Sequence, residues 1–172
     1  GAILQTGLHD CWLARFDSAG RPIWGAVVLG NGSPAECLAV SADAHGNSYV
    51  TGAFTTTATF GQGEPNEVTL SSLGGFFGGD IFIAKYDPSG ALLWARQAGG
   101  DGITGGPIDM GLGIAVDNLG RAHVAGTFSG TAVFGAGEPG QTALPSQGQN
   151  DAFVARYSGE TVPPPPSTLD LD

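Results

Sequence analysis

Two glutamates, Glu64 and Glu138, recur in the same short context, Phe60-Gly-Gln-Gly-Glu-Pro65 and Phe134-Gly-Ala-Gly-Glu-Pro139. Carboxylates on glycine-rich loops could coordinate calcium, a hard cation that takes about six to eight oxygens at about 2.3 to 2.6 Å. One carboxylate per loop falls short of that shell, and the plain alternative is a strand-ending hairpin whose glutamate is solvated. The histidines His9, His45 and His123 show no metal-ligand spacing. His123 stands where the other copy of its motif has Tyr49, so packing is its expected role. The sequence holds no Gly-x-Ser-x-Gly elbow, phosphate loop or His-Glu-x-x-His. No catalytic, cofactor-binding or metal-binding residue is assigned, and the chain is not expected to be an enzyme.

The aromatic and sulfur side chains invite two further kinds of chemistry. Trp24 and Trp94 occupy equivalent positions, and Trp12 matches Phe82 and Phe153. Repeated aromatics can stack on sugars, as in a multivalent carbohydrate-binding protein, or they can fill the space between packed sheets. Cys11 and Cys37 lack metal-type spacing and could form a disulfide or lie as two buried thiols. Neither recurs in the repeat described next, which favours two small buried side chains. Asn31-Gly-Ser33 matches a glycosylation acceptor but precedes Pro34, and reads as a turn.

These residues sit in an internal repeat. Asp10-Cys-Trp-Leu-Ala-Arg-Phe-Asp-Ser-Ala-Gly20 returns as Asp80-Ile-Phe-Ile-Ala-Lys-Tyr-Asp-Pro-Ser-Gly90, and in shortened form as Asp151-Ala-Phe-Val-Ala-Arg-Tyr157. Asp43-Ala-His-Gly-Asn-Ser-Tyr-Val-Thr-Gly-Ala-Phe54 returns as Asp117-Asn-Leu-Gly-Arg-Ala-His-Val-Ala-Gly-Thr-Phe128. The spacing drifts only where loops differ in length, as repeated structural units allow.

Alternation within the repeat predicts strands. In Ile81–Tyr86, Phe82, Ala84 and Tyr86 point one way and Ile81, Ile83 and Lys85 the other, so the strand is to be covered on both faces. Asp17–Gly20, Asp43–Gly46, Asp87–Gly90 and Asp117–Gly120 are Asp-x-x-Gly hairpin turns, with Asp accepting local N–H groups and Gly supplying positive φ. Each repeat then reads as four short strands, about nine in the whole chain. Gly52 and Gly126, at matching mid-strand positions, predict a close approach between packed sheets.

Composition agrees with short strands and turns: 41% hydrophobic, 13% charged, 30 glycines and 11 prolines in 172 residues. Six basic against sixteen acidic residues give a formal charge of −10, which disfavours nucleic acid and anionic membrane surfaces as partners. No apolar run approaches the roughly 18 residues that span a bilayer, and no leader peptide is visible. The chain opens on Gly1 and has its sole methionine at Met110, as a trimmed or processed segment would.

The residues Gly113-Ile-Ala-Val-Asp-Asn-Leu-Gly, His123-Val-Ala-Gly-Thr-Phe-Ser-Gly, Asp80-Ile-Phe-Ile-Ala-Lys-Tyr-Asp-Pro-Ser-Gly and Leu92-Leu-Trp-Ala-Arg96 resemble the bacterial β-propeller repeat often called the SBBP repeat. The resemblance covers about residues 9 to 160. It implies an all-β fold of tandem four-stranded antiparallel propeller blades, about two repeats of about 72 residues. It also implies a secreted or cell-surface setting without a shared catalytic residue. The expected organisation is a partial blade over 1–30, a full blade over 31–100 and a partial blade over 101–160. A Pro-rich acidic tail or linker, with four prolines from Pro163 to Pro166, fills 161–172.

Propellers close with about four to eight blades, so closure calls for further blades of the same parent or for other copies of the chain. The leading expectation is a non-catalytic structural or protein-interaction module that meets other protein chains. A carbohydrate-binding propeller formed by oligomerisation is the alternative.

Overall fold

Alternation of apolar side chains builds strands here because the central strands, Ser48–Phe54 and Asp80–Tyr86, hide two faces at once. The computed structural model describes residues 10–74, 78–100 and 109–158. Among them are thirteen strands, all in antiparallel sheets. The first sheet pairs β1 (Cys11–Phe16) with β2 (Pro22–Val28). The second begins with β3 (Ala35–Ala42), β4 (Ser48–Phe54), β7 (Asp80–Tyr86) and β8 (Leu92–Gly100), neighbours in that order. The third places β10 (Ala122–Phe128) between β9 (Met110–Val116) and β13 (Asp151–Tyr157).

The four strands expected per repeat are present as consecutive neighbours in the second sheet, but that sheet has six. β11 (Thr131–Phe134) and β12 (Thr142–Pro145) form a hairpin that joins it along β8. A matching hairpin, β5 (Thr57–Phe60) with β6 (Val68–Ser71), meets the chain just after β2 through paired bonds between Leu29 and Thr59. The expectation of nine strands omitted both hairpins. Each lies between the second and third strands of one repeat and attaches to the fourth strand of the repeat before it.

Side chains alternate between two cores. Phe82, Ala84 and Tyr86 join Cys11, Val28 and Phe60 between the first and second sheets. Ile81 and Ile83 join Val124, Phe153 and Tyr157 between the second and third. β7 is therefore buried on both faces, as its alternation predicts, and each such aromatic or branched side chain contributes roughly 1.5–3 kcal/mol by leaving water.

The four Asp-x-x-Gly turns take the expected form. In each, the Asp Oδ1 accepts N–H groups two and four residues on, at 2.8–3.0 Å, and the Gly adopts positive φ, from 71° at Gly120 to 93° at Gly90. Gly52 and Gly126 correct their prediction: the close approach is within a sheet. A Cβ on Gly52 would strike Glu36 O and lie 3.0 Å from Phe82 Cε1, and one on Gly126 would strike Met110 O and lie 2.8 Å from Phe153 Cε1.

Candidate interaction surface

Those two glycines face β-bulges. The register of β3 against β4 slips between Cys37 and Ala39, and that of β9 against β10 slips opposite Ala125 and Gly126. The extra residues are Leu38 and Leu112, which hold matching places in the repeat. A bulge re-aims a side chain and ends regular pairing, and both leucines are exposed, as is Val40 on β3. β3 and β9 are edge strands of their sheets and pack beside each other. Their outward side presents these apolar side chains at the sheet edges.

Beside this row lies a shallow open cleft of about 410 Å³. Trp12, Leu38, Cys11 and Cys37 line it together with Asp10 and Glu36. Cys11 and Cys37 form a disulfide, with Cα atoms 5.4 Å apart, which corrects the expectation of two thiols. They hold different places in the repeat, and those places face each other across neighbouring sheets. Trp12, by contrast, points into solvent, whereas its counterparts Phe82 and Phe153 are buried.

The residues weighed for chemistry are otherwise engaged in structure. Glu64 is half-buried and its Oε2 accepts the Leu92 N–H at 2.6 Å. Glu138 pairs with Arg96 (Nε–Oε1 3.0 Å), whose guanidinium also lies 4.9 Å from the Trp94 ring. Neither is the solvated hairpin glutamate expected, and among the described residues no cluster of three or more His, Cys, Asp or Glu could hold a metal ion. His123 Nε2 lies 3.2 Å from Asp117 Oδ2, and Tyr49 at the matching position reaches Asp43 Oδ2 at 3.1 Å. The shared place is thus a brace on the repeat's own turn. His45 is exposed, and His9 lies outside the described residues.

Trp24 and Trp94 are half-buried. Trp24 Nε1 donates to Pro88 O at 3.0 Å and its ring covers Gly90, where a Cβ would come within 2.6 Å. Trp94 meets Tyr49 edge-on at 6.3 Å between ring centroids. Asn31 and Gly32 form the expected turn, with φ of 48° and 89°. Arg15 extends from β1 to the second sheet, donating to Gly46 O at 3.1 Å and Pro88 O at 3.3 Å.

Sequence reasoning did not single out Asp80 and Asp109 as a buried pair. Asp80 is the buried member of the repeated Asp set that includes Asp10 and Asp151. Its Oδ2 accepts the Leu73 N–H at 3.0 Å and the Gln97 Nε2–H at 3.1 Å. Asp109 Oδ1 accepts the Ser129 N–H at 2.8 Å. A Cβ on Gly99 would lie 2.7 Å from Asp80 Oδ1 and 3.1 Å from Asp109 Oδ2, so the other two oxygens converge there. Burial, with the Asp109 charge adding to it, pushes the Asp80 carboxyl up to about 7.

No family model matches the chain. A curated relative, the uncharacterized WD repeat-containing protein L264 of Acanthamoeba polyphaga mimivirus, is 24% identical over 160 residues. The match takes in 91% of this chain and 11% of the relative, so the chain spans about a tenth of that protein's length.

Proposed function

We propose that the three sheets are consecutive members of a β-propeller-type array and that the chain is a non-catalytic protein-binding module of a secreted or surface-attached protein. The observation that carries this reading is the row of exposed apolar side chains, Leu38, Val40 and Leu112, on two adjacent edge strands. Exposed apolar side chains grouped beside unpaired strand edges mark sites where another polypeptide docks. The WD repeats in the relative's name are a propeller-forming type. A disulfide between the first two sheets supports an oxidising compartment.

The test places a photo-crosslinking phenylalanine analogue at Leu38, at Leu112 and, as control, at Ala19 in an exposed turn, and exposes each protein to the secreted and surface proteins of its source cells. Discrete protein adducts at Leu38 and Leu112 but not at Ala19 are expected. No adduct, or equal labelling at all three sites, would overturn the reading. Saccharide binding on a glycan array without any protein adduct would put the carbohydrate alternative in its place.

A further inference from the structure

The third strand of each repeat carries an aromatic pair on one face and an aliphatic pair on the other. The aromatic pairs are Trp12 with Phe16, Phe82 with Tyr86, and Phe153 with Tyr157; the aliphatic pairs are Cys11 with Leu13, Ile81 with Ile83, and Ala152 with Val154. Between the first and second sheets, Phe82 and Tyr86 share a core with Cys11 and Leu13. Between the second and third, Phe153 and Tyr157 share one with Ile81 and Ile83. Two halves of this relationship are left over. Trp12 and Phe16 are 66% and 53% exposed where Phe82 and Tyr86 are 0% and 1%. Val154 is 78% exposed where Ile83 is 0%, and Ala152 is exposed as well.

Resting on the repeat-array reading above, we propose that the Trp12–Phe16 face of one molecule receives the Ala152–Val154 face of a second copy of this chain, continuing the sheet-on-sheet packing found inside it. Three features fit these two faces to each other. Both belong to the same strand position, so one repetition of the internal step superposes them on an interface that already exists in the molecule. The largest residue of the aromatic set, Trp12, meets the smallest of the aliphatic set, Ala152, while the internal interfaces combine Phe with Cys or Ile; the volumes compensate, as a packed core requires. Arg156, exposed on β13, occupies the place of Arg15, which donates to turn carbonyls of the next sheet. Across the proposed contact the matching acceptor is the Ser18 carbonyl, at the position of Pro88. The contact is head-to-tail, because each molecule offers two different faces, so assembly proceeds to a ring or a chain and does not stop at a two-fold dimer.

The experiment is sedimentation velocity of the wild-type chain, of Trp12→Glu, of Val154→Glu, and of an equimolar mixture of the two variants. Circular dichroism confirms folding; both residues lie on the surface, so the substitutions leave the internal cores intact. Wild type is expected to associate with increasing concentration, and each variant to lose self-association by roughly a hundredfold or more, because a carboxylate would be buried unpaired at the contact. The mixture is expected to form dimers, since each variant keeps the face that the other lacks. A wild type that stays monomeric, variants that associate unchanged, or a mixture that remains monomeric would each overturn the proposal. Crosslinks at Leu38 and Leu112 to other proteins, found alongside a monomeric chain, would sink this inference and leave the interaction reading standing.

Discussion

Ile81 and Gly111 face each other between the second and third sheets at the places that Cys11 and Cys37 hold between the first and second. A Cβ on Gly111 would come within 3.2 Å of Ile81 Cγ2 and would strike Thr51 Oγ1. One gap is closed by a covalent bridge and the other by a branched side chain lying over bare backbone. Sulfur on both sides, or isoleucine on one side and nothing on the other, are two ways to fill the same space at native density.

Removing the bridge should weaken the contact between the first two sheets. The bonded residues are 26 apart in sequence, and a loop of that length implies a loss of roughly 3 kcal/mol on the chain-entropy account. Urea denaturation of Cys37→Ala, or of the wild type with and without reductant, checks this. An unchanged midpoint would show that the packing of Val28, Phe60 and Phe82 holds these sheets without the bond.

Gly111 should tolerate no side chain. Gly111→Ala drives a methyl into Thr51, whose hydroxyl donates to Phe82 O at 2.7 Å in the buried interior, and overpacking of this kind costs roughly 1–3 kcal/mol. Thr51→Ala removes the obstructing oxygen, so the double variant should be more stable than the sum of the two single losses by about 1 kcal/mol or more. Additive losses in chemical denaturation would place the strain elsewhere.

What was legible beforehand is what the chain encodes locally. The two-faced alternation of Ile81–Tyr86 and the Asp-x-x-Gly turns depend on residues within a few positions of one another, and both stand as read. The hairpins β5–β6 and β11–β12 escaped because four-residue strands such as Thr57-Ala-Thr-Phe60 acquire their place only by pairing with the preceding repeat. The disulfide escaped for a related reason. Neither cysteine recurs at its own repeat position, because Cys11 and Cys37 belong to two positions that meet only across sheets; Ile81 with Gly111 is the counterpart of that pair. Of the two roles open to the repeated aromatics, Phe82 and Phe153 fill the core, whereas Trp12 is exposed, and its exposure depends on what packs against the first sheet, which one strand's sequence does not encode.

Glu64 should act as a fastener and not as a calcium ligand. Its carboxylate accepts the Leu92 N–H, joining the β5–β6 hairpin to the fourth strand of its own repeat. Glu64→Ala leaves that donor without its partner, at a cost of roughly 1–3 kcal/mol. Thermal melts with calcium and with chelator should coincide for both wild type and variant. A calcium-dependent rise in melting temperature that disappears in Glu64→Ala would restore the metal reading.

Asp80 should make the fold lose stability toward alkaline pH. Its carboxyl titrates near 7 in the folded chain against an ordinary 3.8, so folding favours the protonated form. That contribution is fully present below the unfolded value and is lost as pH rises through about 7. Asp109 is the charge that converges on it over Gly99, and Gln97 and the Leu73 N–H are the donors around it. The turn residues Asp17, Asp43, Asp87 and Asp117 work in the opposite direction. Backbone and side-chain donors hold their carboxyls below the usual range, against the effect of burial that is largest at Asp43, so their share is lost in acid. A bell-shaped stability profile follows, with its alkaline limb set by Asp80. Asp80→Asn keeps the shape, supplies a permanently neutral group and should flatten that limb between about pH 4 and 7 while leaving the acid limb in place. Urea midpoints measured across that range decide the matter, and an alkaline limb that persists in Asp80→Asn would assign it to another group.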